Sequence, residues 1–212
     1  MKLRKDIIDF IKTLPSNVTL VVASKYIDTS EMEKLYQLGV TNFGENRADS
    51  FLAKFEKLSN LNINWHFIGH LQRNKALDII DKISYLHSLD SLKLAKIIED
   101  NRKKPLKTFI EVDINHEENK SGVPYEQIDD FVKDILNYNK IELIGLMMMA
   151  KHDDNEITLH QEFKKLKQIK RHLEEKFSIT LPYLSMGMSR DYLIAIEEGA
   201  THIRLGKILF TD

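Results

Sequence analysis

A lysine closing an apolar run, a glycine- and serine-bearing turn, and an arginine–glycine pair are the parts of this sequence best suited to chemistry. Lys25 follows Thr19–Ser24 (TLVVAS), Ser185–Asp191 reads SMGMSRD, and Arg204–Lys207 reads RLGK. A lysine amine partly shielded at the mouth of a domain can have its pKa lowered enough to attack a carbonyl and form a Schiff base. A phosphate needs backbone N–H groups that it can approach closely, which favours glycine and small hydroxyl residues. Gly187, Ser189 and Gly206 have that character. Arg204 stays protonated at any working pH and can donate to a ring nitrogen or a carboxylate. Each element also has a plainer reading. A strand-ending lysine is commonly a solvated rim residue, Ser189 can simply cap the helix that follows, and Arg204 can pair with Glu111 or Glu197.

The elements that would position these residues alternate along the chain. Candidate strands are Thr19–Ser24, Asn42–Phe43, Asn64–Ile68, Tyr85–His87, Thr108–Val112, Glu142–Met148, Tyr183–Leu184 and His202–Leu205. Helical patterns occupy Ser30–Leu38, Arg47–Leu58, Leu92–Asn101, Glu126–Leu136, Glu156–Phe177 and Tyr192–Glu198. Asp28, Thr29, Ser30, Asp90 and Ser91 supply N-caps. Eight strands with helices between them imply parallel pairing and right-handed crossovers. The pattern predicts an α/β fold, a single (β/α)8 TIM-type barrel with an extra N-terminal helix. A doubly wound open sheet is the competitor. The barrel is preferred because strand eight has no following helix, and an amphipathic helix through Leu3, Ile7, Phe10, Ile11 and Leu14 can fill that gap. No linker or repeat divides the chain, so residues 1–212 are expected to form one domain. In such barrels chemistry sits at the C-terminal ends of the strands, and phosphate on the loops after strands seven and eight. Lys25, SMGMSRD and RLGK fall at those places.

Composition narrows the classes. A net charge of −1 provides no overall field for nucleic acid or an anionic membrane. With no cysteine, thiolate metal sites and cysteine nucleophiles are excluded. No stretch reaches the ~18 apolar residues a membrane span needs, and the expected location is the cytoplasm. His66 and His70 are four apart but lie in a strand and a glycine turn, so they lack the shared face of helical zinc ligands. No metal is expected, and His66 is expected near the barrel mouth. Met147, Met148 and Met149 read as packing. The stretch Glu162–Lys176 mixes both charge signs and reads as a solvated helix face. Trp65 reads as buried structure.

The blocks VVASKY, FGENR (Phe43–Arg47), WHFIGHLQRNK (Trp65–Lys75), HSLDS (His87–Ser91), ENKSG (Glu118–Gly122), GLM (Gly145–Met147), LSMGMSRD and IRLGKILF appear in order along the chain. Together they resemble the pyridoxal phosphate homeostasis protein family, which is related to the N-terminal barrel of alanine racemase. The resemblance implies a pyridoxal 5′-phosphate-binding protein with the cofactor held as a Schiff base on Lys25. It implies Asn46 near the cofactor ring, Ser189, Gly206 and the Lys207 N–H on the phosphate, and Arg204 facing the pyridine nitrogen. An arginine there does not favour a protonated pyridinium, which weakens the ring as an electron sink. Alanine racemases take their second base from an added C-terminal domain, and this chain ends at Asp212 with no such domain. The expectation is therefore a carrier that buffers or delivers the cofactor inside the cell, without significant turnover. It is expected to be monomeric, with apo forms of pyridoxal-phosphate enzymes as partners and no nucleic acid or membrane partner. The alternatives are a pyridoxal-phosphate enzyme acting on amino acids, racemase-like, and a cofactor-free Schiff-base aldolase.

Overall fold

The computed structural model describes residues 2–116 and 121–211. Eight strands form the frame: β1 (Thr19–Ala23), β2 (Asn42–Glu45), β3 (Asn64–Phe67), β4 (Tyr85–Leu89), β5 (Leu106–Asp113), β6 (Ile141–Met147), β7 (Tyr183–Ser185) and β8 (His202–Leu205). All their pairings are parallel, and each strand pairs with its neighbours in sequence. Closure comes from β8 against β1, with Leu205 opposite Val22. The sheet is thus a closed ring, which leaves no open edge among these eight strands. This is the (β/α)8 barrel that the alternation of elements predicts.

Helices cover the outside: α1 (Ile7–Thr13), α2 (Thr29–Gln37), α3 (Ala48–Lys57), α4 (Arg73–Ile79), α5 (Leu92–Asn101), α6 (Ile128–Ile135), α7 (Glu156–Phe177) and α8 (Tyr192–Glu197). Their starts follow side-chain chemistry. The carboxylate of Asp28 accepts from Glu31 N at 3.0 Å, Ser91 Oγ from Leu94 N at 3.4 Å, and Asn155 Oδ1 from Thr158 N at 3.0 Å. Each satisfies an otherwise orphaned helical N–H. Ser189 does not cap α8; Asp191 holds the cap position, and its carboxylate accepts from Met188 N instead. The pattern placed at Glu126 begins as a 3-10 turn, Tyr125–Gln127, before α6.

The N-terminal helix fills the place where a helix after β8 would lie. Phe10 of α1 meets Tyr192 of α8 edge-on at 6.1 Å. Arg4 donates to the backbone carbonyls of Ile208 and Leu209, at 3.2 and 3.1 Å. Lys2–Leu3 and Phe210–Thr211 also pair as a short antiparallel ribbon that the residue pattern does not announce. Most of the core is a continuous apolar cluster between barrel and helices, with Phe43, Phe51, Phe67, Phe163 and Leu86 fully buried, and a smaller cluster of Phe109, Ile144 and Met147 is separate from it. Trp65 belongs to it, at 5.3 Å from Phe51.

Candidate functional site

The C-terminal ends of β1, β7 and β8 meet at one side of the barrel mouth. Lys25 follows β1 in a 3-10 turn, Ser24–Tyr26, that carries the chain toward α2. It is exposed, more than the partial shielding expected from the sequence, and its Nζ lies 4.7 Å from the centre of the Tyr26 ring. Lys207 reaches the same ring from β8, at 5.8 Å. A buried cluster anchors the turn beneath. Ser24 Oγ donates to Glu45 Oε1 at 2.7 Å, and Lys54 Nζ donates both to that oxygen and to the Ser24 carbonyl at 2.6 Å. Glu45 is fully buried, so the Lys54 cation offsets a charge that would otherwise be costly.

Ser189 and Gly206 come together. Gly206 N donates to Ser189 Oγ at 3.3 Å, a long bond that an incoming anion can replace. A Cβ built on Gly206 would meet nothing nearer than Ala23 Cβ at 3.5 Å, so there is room above its backbone. Gly187 serves packing: at φ +92° it lets α8 lie close, where a Cβ would fall 2.6 Å from Ala195 Cβ.

Arg204 lies beneath, 4% exposed. It pairs with neither Glu111 nor Glu197: Nη1 donates to Ser185 Oγ at 2.6 Å and Nη2 to the Met148 carbonyl at 2.8 Å. Burial lowers its pKa to about 10, against the pull of the Asp191 and Glu111 carboxylates, so it remains a cation at neutral pH. Glu111 itself, buried on β5 and bonded to Ser121 Oγ at 3.2 Å, is pushed up by desolvation to about 7.

Asn46 follows β2. Its Oδ1 is buried without a hydrogen-bond partner among the described residues, an acceptor awaiting a donor. It lines a cavity of about 350 Å³ with Gly69 and Lys75. Gly69 is required there, because a Cβ would sit 2.4 Å from the Asn46 carbonyl oxygen. A cavity of about 830 Å³ opens on the loops after β3, β4 and β5, across the mouth from Lys25, lined by His70, Arg73, Asp90, Lys93 and Ser121. Of the block Glu118–Gly122, only Ser121 and Gly122 are among the described residues.

One histidine departs from expectation. His66 is not at the mouth: it is fully buried, with Nε2 at 3.1 Å from Asn42 Oδ1 at the start of β2. His70 is on the rim, paired with Asp90 at 2.9 Å. Several site residues were not singled out from the sequence, namely Ser185, His87, Glu45 and Lys54. The signal for Ser185 and His87 was a polar side chain at a strand position that alternation turns inward, whereas Glu45 takes the opposite face of its strand and meets Lys54 of the covering helix.

A family model described as the alanine racemase N-terminal domain matches residues 23–212. The pyridoxal phosphate homeostasis protein of Aquifex aeolicus (strain VF5) is 37% identical over 196 residues, covering 91% of this chain and 86% of that protein. Among solved structures, PipY of Synechococcus elongatus without PLP matches with a TM-score of 0.93 at 28% identity, covering 97% of this chain and 99% of that one. PipY with PLP bound matches with a TM-score of 0.88 at 27% identity, covering 97% and 100%.

Proposed function

This chain belongs to the pyridoxal phosphate homeostasis protein family, and on that premise we propose that it binds pyridoxal 5′-phosphate at the β1–β7–β8 side of its barrel mouth and carries it without turning over amino acids. The cofactor, when bound, supplies an aldehyde for the Lys25 amine. Ser189 and the N–H groups of Gly206 and Lys207 hold the phosphate, Arg204 donates to the pyridine nitrogen, and Asn46 Oδ1 accepts from a hydroxyl on the ring. The observation that carries the reading is the meeting of Lys25, Ser189, Gly206 and Arg204 on adjoining strand ends, with Gly206 N–H and Ser189 Oγ 3.3 Å apart.

The residues fit the group in kind. A phosphate dianion finds a backbone N–H and a hydroxyl, and the orphaned Asn46 acceptor gains a donor. Arg204 is a permanent donor, which keeps the ring nitrogen unprotonated and the ring a poor store for carbanion charge. Lys25 is exposed, so the cofactor is open to exchange with water or with a partner, whereas catalysis gains from a closed, dry site. Among the described residues no helix is long and apolar enough to cross a membrane. The same reading puts the protein's work in the cytoplasm, with delivery to apo forms of pyridoxal-phosphate enzymes. The racemase-like alternative has one observation in its favour, the buried Glu111 with its carboxyl near neutrality.

The test is α-proton exchange of alanine and other amino acids in deuterated water, with fully loaded protein. Carriage predicts exchange no faster than free cofactor with a simple amine. Exchange at about 1 s⁻¹ or faster, abolished by Lys25→Ala, would establish the enzyme instead.

A further inference from the structure

A line of hydrogen bonds crosses the barrel interior from Arg204 to the opposite end. Arg204 Nη1 donates to Ser185 Oγ at 2.6 Å, and that oxygen lies 2.8 Å from His87 Nδ1. His87 Nε2 lies 2.8 Å from His66 Nδ1, and His66 Nε2 lies 3.1 Å from Asn42 Oδ1. Ser185, His87 and His66 are fully buried. Flat stacking fixes the two rings in place: His66 on Tyr85 at 4.3 Å and His87 on Phe109 at 4.4 Å.

Donor and acceptor rules assign every proton on this line. The Asn42 oxygen only accepts, so His66 carries its proton on Nε2. Burial strongly disfavours the imidazolium of either ring, and each has positive or ionisable neighbours that add to this: His202 for His66, and His66, His202 and Arg204 for His87. A neutral His66 therefore has a bare Nδ1 and accepts from His87 Nε2–H. A neutral His87 likewise accepts on Nδ1 from the Ser185 hydroxyl. With its proton committed to His87, Ser185 turns its lone pairs to Arg204. His202 stands beside the line but off it, its Nδ1 within 3.0 Å of Thr201 Oγ1.

We infer that His87 and His66 are positioning residues, which hold the Ser185 hydroxyl as an acceptor and through it set the angle of the Arg204 guanidinium toward a bound ring. A layer of apolar side chains would fill this space without any polar group to desolvate. The line replaces such a layer with a polarised support under a cation whose other hydrogen bond among the described residues goes to the Met148 carbonyl. The inference rests on the reading that Arg204 faces the ring of the bound cofactor.

The test combines a double-mutant cycle with a measurement on the unaltered protein. The dissociation constant for pyridoxal phosphate and the visible absorption maximum of the bound cofactor are measured in the parent, His87→Phe, Arg204→Gln and the double variant. His87→Phe should weaken binding roughly 2- to 10-fold, the loss of one neutral hydrogen bond, and move the absorption maximum. Both effects should vanish in the Arg204→Gln background, where there is no guanidinium to orient. Additive effects, or a silent His87→Phe beside a strong Arg204→Gln, would overturn the inference while leaving Arg204 at the ring. A silent Arg204→Gln would overturn the placement of Arg204 itself. In the parent protein, nitrogen NMR of labelled histidine should find His66 and His87 neutral with Nε2–H at pH 7, and saturation with cofactor should shift the His87 ring signals without changing its tautomer. An Nδ1–H tautomer, a protonated ring, or no response to the cofactor refutes the line even if the variants fail to fold.

Discussion

Replacing Lys54 with methionine removes a charge and little volume, and the structure says what that costs. Glu45 is fully buried, Lys54 Nζ is bonded to its Oε1, and its Oε2 has no partner among the described residues. Without the ammonium, the carboxylate keeps only the Ser24 hydroxyl at 2.7 Å. Removing one member of a buried ion pair costs about 3–5 kcal/mol, because the other charge stays desolvated and uncompensated. For a chain of this size each kcal/mol moves the melting temperature by about 2–4 °C, so Lys54→Met should lower it by roughly 6–20 °C. Urea unfolding followed by the fluorescence of Trp65, the single tryptophan, reads the loss directly. The variant Glu45→Gln/Lys54→Met should recover much of it, since no buried charge remains. A loss below about 1 kcal/mol, or a double variant no better than the sum of the singles, would refute the claim that this ion pair holds the Lys25 turn.

Further outcomes follow from the same geometry. Ser189→Ala removes a hydrogen bond to a charged phosphate, worth about 1.5–3 kcal/mol, and should weaken cofactor binding roughly 10- to 100-fold in a titration; unchanged affinity places the phosphate elsewhere. Gly69→Ala drives a Cβ to 2.4 Å from the Asn46 carbonyl and should cost about 1–3 kcal/mol in urea unfolding; unchanged stability means the loop has slack that the structure does not contain. Burial holds His66 and His87 well below their usual range and His202 down at about 4. The unfolded chain therefore binds more protons at these sites, and stability should be intact above about pH 6.5 and decline as pH falls toward 4. Glu111, raised to about 7, acts oppositely and loses its contribution as pH rises through that value. Asp191, also raised by burial, acts with Glu111. Three groups against two give a stability maximum near neutrality, and urea midpoints that do not fall between pH 7 and pH 5 would contradict it.

What the sequence made legible depended on whether the deciding contacts are local. Leu92–Asn101 and Glu156–Phe177 match their expected spans because caps at Ser91 and Asn155 and breakers beyond their ends are written in neighbouring residues. His202–Leu205 matches as well. Arg73–Ile79 was missed: it is short, and Gln72 before it makes no capping hydrogen bond. Lys25, Arg204 and Gly206 could be found because they end strands, where barrel chemistry gathers. The interior line could not, since His66 and His87 are 21 residues apart and His87 and Ser185 are 98 apart. Alternation turns each of these side chains inward, but only ring closure says which ones meet. Ser189 illustrates the same limit, for its position suggests a helix cap, yet its hydroxyl faces the Gly206 N–H of the next strand.

The central claim is that Lys25 holds the cofactor. Protein loaded with pyridoxal phosphate should be reduced with borohydride, digested, and mapped by mass. The adduct should be found on the peptide containing Lys25 and be lost in Lys25→Ala. An adduct found mainly on Lys75 or Lys207 would contradict the account.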